Sequence, residues 1–307
     1  MDEQRTALDT AKDLKKKAIR LHQTYKLIWP LIDLNSPMEK KYWQSYNCCR
    51  EVVQEGVYLR FKYCNCRWCF ECNAIRAAKM INGYESIFRE FKLPQFVTLT
   101  RPNVSADKLE SEITNLIKTF QKLVHNLRGH KGINIKGIRK LEVTYNWAEQ
   151  TYHPHFHLIV DSPGSAHAIM DEWLFRNPEA SPAAQNIKLI DKLNFEGSLK
   201  ELFKYATKIC VDDEMSLYAK DFIFQCLLKK RIFQPFGIDR KVSEDVEELV
   251  TQGYACLDPE TYEKWYFNQT KEDWNTLRGE SLIQKITDSI MMNSGGTTEV
   301  LANLDSS

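Results

Sequence analysis

The chain has no apolar run of about 18 residues, so no membrane-spanning helix is predicted, and no N-terminal pattern of charge, apolar stretch and small-residue cleavage site marks a signal peptide. A cytoplasmic protein without a membrane partner is the expectation. Net charge is nearly absent as well: 42 Lys and Arg against 41 Asp and Glu leave +1. Global basicity therefore does not announce nucleic acid, and any DNA-binding surface has to be local. Basic residues gather at 15–17, around 128–140 and at 229–231, where each cluster alone is equally a solvated face. Internal repeats are missing too.

What is present is length and cysteine. At 307 residues with 43% hydrophobic content the chain can bury a substantial core. Of nine cysteines, Cys64, Cys66, Cys69 and Cys72 fall within nine residues, a crowding that favours a metal site over disulfides in a reducing compartment.

Residues 1–45 alternate charge with Leu, Ile and aromatic residues, predicting one or two amphipathic helices broken near Pro30 and Pro37. A cysteine-rich module follows at 46–93, closing in a helix over 74–91. Residues 96–100 (FVTLT) read as a strand, and Leu109, Ile113, Leu116, Phe120, Leu123 and Leu127 keep helical spacing after Ser105 until Gly129. Two strands, 138–145 and 155–160, joined by a turn around 146–152, predict an antiparallel hairpin. A helix at 166–175, a short strand at 186–192 and a helix at 197–209 complete a β-α-β-β-α-β-α order. The fold class expected is α+β, an antiparallel sheet with helices on one face, of ferredoxin-like kind, over 94–240. Residues 241–307 give mixed helix with aromatic residues and a disordered tail from 291.

In HPHFHLIV (153–160), strand alternation projects His155 and His157 to one face and Phe156, Leu158 and Val160 to the other. A turn symmetric about residues 148 and 149 sets Glu142 opposite His155, adding its carboxylate to the histidine face. Two imidazoles and one carboxylate leave coordination positions open, which suits a Lewis-acid ion, Mn2+ or Mg2+. Taken alone, a His-x-His pair is equally an ordinary pair of strand histidines. His153 shares the parity but lies near the turn, and His167 is the sole later histidine, too few for a binuclear hydrolase.

In LKELFKYATK (199–208), Glu201, Tyr205 and Lys208 fall on one helical face, with Leu199, Leu202, Phe203 and Ala206 available for packing. A tyrosine of pKa about 10 needs a polarised target and nearby positive charge to act as a nucleophile. Lys208 and Lys204 can supply the charge, and Glu201 can serve as a general base. By itself the segment reads more simply as a surface helix.

In combination and order, FVTLT, GIRKLEVTYN (137–146), HPHFHLIV and KYATK (204–208) resemble the rolling-circle replication initiators of small bacterial plasmids, of the HUH endonuclease superfamily. Cys64, Arg67, Cys69 and Cys72 upstream, and LLKKRIFQPFG (227–237) downstream, extend the resemblance to about 48–240. It implies that His155 and His157 hold a divalent ion, that Tyr205 is the nucleophile and that Lys208 lies by the scissile phosphate. Glu142 as third ligand rests on the hairpin geometry. Glu201 matches the single-tyrosine type with an upstream glutamate that activates water at termination. The second tyrosine of other relatives is absent, since Tyr218 lies 13 residues on.

Structural zinc is expected on Cys49, Cys64, Cys69 and Cys72, with Cys48 and Cys66 as alternatives. The activity implied is metal-dependent nicking and joining of one DNA strand through a 5′-phosphotyrosine. Its partners would be plasmid origin DNA, single-stranded at the nick site, with a host helicase and polymerase. An HUH transposase or mobilisation relaxase, or a non-catalytic zinc-ribbon DNA-binding regulator, are the competing expectations.

Overall fold

Apolar periodicity, capping and turn chemistry set the elements of the chain. The structure, a computed structural model, describes residues 7–191, 195–203, 216–239, 241–243, 245–246, 252–253, 257 and 260–294. In order these form α1 (Ala7–Ile32), α2 (Glu39–Tyr46), β1 (Glu51–Glu55), β2 (Tyr58–Phe61), α3 (Phe70–Arg89), β3 (Gln95–Leu99) and α4 (Ala106–His125). The hairpin β4 (Gly137–Asn146) and β5 (Thr151–Val160) follows, then α5 (Pro163–Arg176), β6 (Asn186–Leu189), α6 (Phe195–Phe203), α7 (Leu217–Leu227) and β7 (Phe233–Phe236). Last come β8 (Gln252–Gly253), β9 (Tyr262–Asn268), β10 (Asp273–Asn275) and α8 (Leu282–Ser294). The chain divides into two units, Met1–Ile75 with Asp245–Ser307, and Arg76–Glu244. That grouping differs from the expected boundaries: the N-terminal helices, the cysteine segment and the C-terminal residues share one unit.

In the unit Arg76–Glu244, five antiparallel strands lie in the order β6-β3-β5-β4-β7. The β4–β5 turn is four residues, 147–150, closed by the Asn146–Thr151 pair. Asn146 Oδ1 accepts from the Glu149 N–H at 3.2 Å, and Gln150 takes the left-handed conformation that returns the chain. Gly137 opens β4 where β5 passes closest, because a Cβ there would run into the Ile159 carbonyl oxygen.

One face of this sheet carries Phe156, which packs on Phe120 of α4 and Trp173 of α5 with ring centroids 5.3 and 6.1 Å apart. The α4 stripe of Leu109, Ile113, Leu116, Phe120 and Leu123 is buried, as its spacing requires. Helix also covers part of the other face, which corrects the expectation of helices on one face alone. Phe233 points to the same side as its strand partner Lys140, and Phe203 of α6 lies 5.3 Å from it and stacks on Tyr84 of α3. The physical reason is the apolar stripe of α6: Leu199, Leu202 and Phe203, all fully buried, need a second apolar surface.

In the other unit the sheet order is β10-β9-β1-β2-β8, again antiparallel. Where the sequence offered only mixed helix, residues 262–275 form two strands, and Glu51–Glu55 pairs with Tyr262–Tyr266 along its whole length. Trp265 and Trp274 are fully buried there. α1 continues through Pro30 instead of breaking at it, because Pro30 stands in the last turn and forfeits one backbone hydrogen bond. α8 takes in 291–294, the start of the stretch expected as a tail.

Candidate metal centre and cysteine cluster

Strand register alone decides which side chains meet on the hairpin. Glu142 pairs with His155 and Lys140 with His157, so the four side chains share one face. His155 Nε2 and His157 Nε2 are 3.1 Å apart, and Glu142 Oε2 lies 3.6 Å from His157 Nε2. One ligand atom from each of Glu142, His155 and His157 falls within 4.8 Å of the others. The set fits a divalent ion with open positions for water or substrate oxygen, since neutral imidazole and carboxylate oxygen are its ordinary donors.

Outer contacts aim these donors. His155 Nδ1 meets the His153 carbonyl at 3.0 Å, which makes Nδ1 the donor and leaves Nε2 as the electron-pair donor to an ion. His157 Nδ1 lies 3.1 Å from Thr98 Oγ1 on β3, and the Phe96 ring packs 5.4 Å from the imidazole. His153 bonds Asn103 Oδ1 at 2.6 Å. Burial, and then the neighbouring His155, push the His153 pKa down to about 4, so its ring is neutral near pH 7.

Sequence reasoning missed Lys140. Its Nζ lies 2.9 Å from Glu142 Oε2, and both side chains are at least nine-tenths buried. Parity would have found it, because residues 140 and 142 share a strand face. Burial works against ionisation of Glu142, but Lys140 and the two histidines outweigh it and hold the carboxyl down to about 2. The carboxylate is therefore charged throughout the neutral range.

Of the tyrosine segment, Glu201 stands exposed on α6, opposite the buried Leu199, Leu202 and Phe203. Tyr205, Lys208, Lys204 and Ala206 lie outside the described residues.

The cysteine cluster consists of Cys48, Cys64, Cys69 and Cys72, with their sulfurs within 4.8 Å of one another. Cys48 Sγ is 3.7 Å and Cys64 Sγ 3.6 Å from Cys72 Sγ. Tetrahedral zinc–thiolate bonds of about 2.3 Å put sulfurs about 3.8 Å apart, so the donor set fits zinc. Cys48, the alternative, replaces Cys49 in the expected set. Cys49 adopts φ 53°, donates its N–H to the Lys62 carbonyl and accepts from Trp274 Nε1 at its own carbonyl at 2.8 Å; its sulfur lies 3.8 Å from Cys48 Sγ but outside the four-sulfur cluster. Cys66 Sγ points instead to backbone carbonyls of Lys41 and Cys64. The Cys66 N–H reaches Cys64 Sγ at 3.4 Å, an N–H···S contact of the sort that steadies a thiolate. Among the described residues these two are the clusters able to hold a metal, and no helix is long and apolar enough to cross a membrane.

Comparison with known proteins adds descent to geometry. Residues 57–174 match a family described as replication protein. A "Protein rep" of Staphylococcus aureus is 39% identical over 116 residues, covering 36% of this chain and 50% of that protein. A "Protein rep" of Streptococcus pneumoniae is 26% identical over 206 residues, 60% of this chain and 63% of that one. A third, from Bacillus sp, is 31% identical over 103 residues, 32% and 33% of the two chains. The matches thus span about a third to two thirds of the relatives' length, and no solved structure matches. The matched family segment contains Cys64, Cys69, Cys72, Glu142, His155 and His157. The resemblance drawn from the motifs is met by these matches, and over residues 57–174 the chain is similar to plasmid replication proteins.

Proposed function

We propose that this protein initiates rolling-circle plasmid replication as an HUH-type endonuclease with a ferredoxin-like catalytic core, nicking and rejoining one DNA strand. The observation that carries the reading is the convergence of Glu142, His155 and His157 on one face of the β4–β5 hairpin. A bound Mn2+ or Mg2+ would polarise the scissile phosphate there as a Lewis acid. The chain's own groups do the rest. His155 and His157, held by the His153 carbonyl and Thr98, and Glu142, held charged by Lys140, form a preorganised seat that needs no rearrangement during the reaction.

Tyr205 attacks phosphorus in line, the P–O3′ bond breaks, and the phenolic proton is balanced by the one gained by the departing 3′-hydroxyl. Lys208, with Lys204, offsets the developing phenolate and phosphate charge. The phosphotyrosine conserves the bond for rejoining, while the 3′-hydroxyl primes a host polymerase behind a host helicase. Glu201, four residues before Tyr205 and solvent-facing, activates water or a hydroxyl at termination. Cys48, Cys64, Cys69 and Cys72 bind structural zinc. Origin DNA, single-stranded at the nick, is the substrate, and the setting is the cytoplasm.

Incubation with Mn2+ and a labelled single-stranded oligonucleotide carrying the plasmid's origin is expected to give a protein-linked band on a denaturing gel. The band should disappear with Tyr205→Phe while DNA binding persists. Metal-loaded protein that binds the oligonucleotide and never cleaves it would instead make the chain a zinc-dependent binding module.

A further inference from the structure

Four aromatic rings form a continuous face in the unit that holds the cysteine cluster. On α1, Tyr25 and Trp29 stand one turn apart, with centroids 5.6 Å apart and planes 25° from parallel. On α2, Trp43 and Tyr46 are 5.4 Å apart. The two pairs join, Trp29 lying 5.7 Å from Tyr46 and 6.4 Å from Trp43.

The core does not account for these rings. Leu27, Ile28 and Leu31 fill the inward face of α1, and Tyr42 fills that of α2, whereas Trp29 is 44% and Trp43 38% exposed. A contiguous aromatic surface left in water marks a place where something docks.

Charge identifies the occupant. The Arg50 guanidinium lies 3.9 Å from the centre of the Tyr46 ring, and Lys26, Lys40 and Lys41 are exposed on the same helices. Of the two acids four residues from a ring, Asp33 and Glu39, the latter accepts a hydrogen bond from Trp43 Nε1 at 3.3 Å and so helps fix the indole. Lysine is depleted at protein–protein interfaces, while aromatic faces flanked by cations suit unpaired nucleotides: the rings stack on bases and the cations meet phosphates.

We propose that the face made by Tyr25, Trp29, Trp43 and Tyr46 binds single-stranded DNA by base stacking, a second contact in the other unit from the Glu142, His155 and His157 site. The proposal takes its ligand class from the DNA reading above, but it does not require nicking. Binding would be tolerant of sequence and would weaken with salt through its cationic part.

Fluorescence anisotropy of the full chain with a short labelled oligothymidine, against an abasic oligomer of equal length, tests it. The Trp29→Ala, Trp43→Ala double variant is expected to bind oligothymidine about tenfold or more weakly and the abasic strand unchanged. Phe at both positions should restore most of the affinity. Unchanged oligothymidine affinity, or equal losses on both strands, would overturn the proposal, the first outcome pointing to a protein partner for this face. Tryptophan-dependent binding by a protein that fails to nick would sink the nickase reading alone. Tryptophan-independent binding by a protein that nicks would sink the aromatic face alone.

Discussion

Replacing His157 with Ala is expected to lower the nicking rate by about 10³-fold or more while leaving DNA affinity within about twofold. In the proposed site His157 supplies one of three donors, its Nε2 being 3.1 Å from that of His155. Removing it leaves a carboxylate and one imidazole, too few to hold a divalent ion in place. A Lewis acid at the phosphate supplies several kcal/mol of transition-state stabilisation, and that is what the variant loses. Thr98→Val is the graded companion. It deletes the hydroxyl 3.1 Å from His157 Nδ1 but keeps the ligand, so a loss of about 10- to 100-fold in metal affinity is expected, recoverable at high Mn2+. Calorimetric Mn2+ binding beside single-turnover nicking separates the two. Full nicking by His157→Ala would show that the histidine is structural.

The second large effect concerns stability. Stripping zinc with a strong chelator is expected to lower the melting temperature by about 10 °C or more, because the binding free energy of a thiolate zinc site is folding free energy. In the unit concerned the cysteine segment runs into a sheet of brief strands, several of them only two to five residues long. Cys48→Ser should reproduce most of that loss and abolish the cobalt charge-transfer absorption of a four-thiolate site. Cys49→Ser should keep the four-thiolate spectrum, since Cys49 is outside the cluster. The opposite pattern, a normal spectrum in Cys48→Ser and a broken one in Cys49→Ser, would restore the assignment the sequence favoured.

The contrast between those two cysteines illustrates what a sequence discloses. The hairpin was legible because its information is local: strand parity puts His155 and His157 on one side, and a turn centred on 148 and 149 leaves one register, Glu142 opposite His155, as found. Adjacent cysteines carry no such parity. Both are buried, and which sulfur joins the cluster depends on the left-handed backbone of Cys49 and on Trp274, 225 residues away in the chain.

Similarly, α4 could be read from its buried stripe, but the sheet of β1, β2, β9 and β10 could not. Its strands are short, and Glu51 pairs with Tyr266 across more than 200 residues of chain, a contact that leaves no local period. The second helical layer escaped for a related reason: the α6 stripe announced that Leu199, Leu202 and Phe203 need cover, not which face of the sheet provides it. Lys140 was legible by the same parity that found Glu142. A lysine buried beside a carboxylate is simply rarer than one in solvent, and the usual solvated reading prevailed.

The proposed chemistry requires a covalent link between DNA and one side chain. The measurement that reaches it most directly is mass spectrometry of the proteolysed, Mn2+-generated adduct, mapping the amino acid that carries the 5′-phosphate. Tyr205 is the expected site. A phosphate mapped to Tyr218, which is 74% exposed on α7, or to any other side chain, would contradict it.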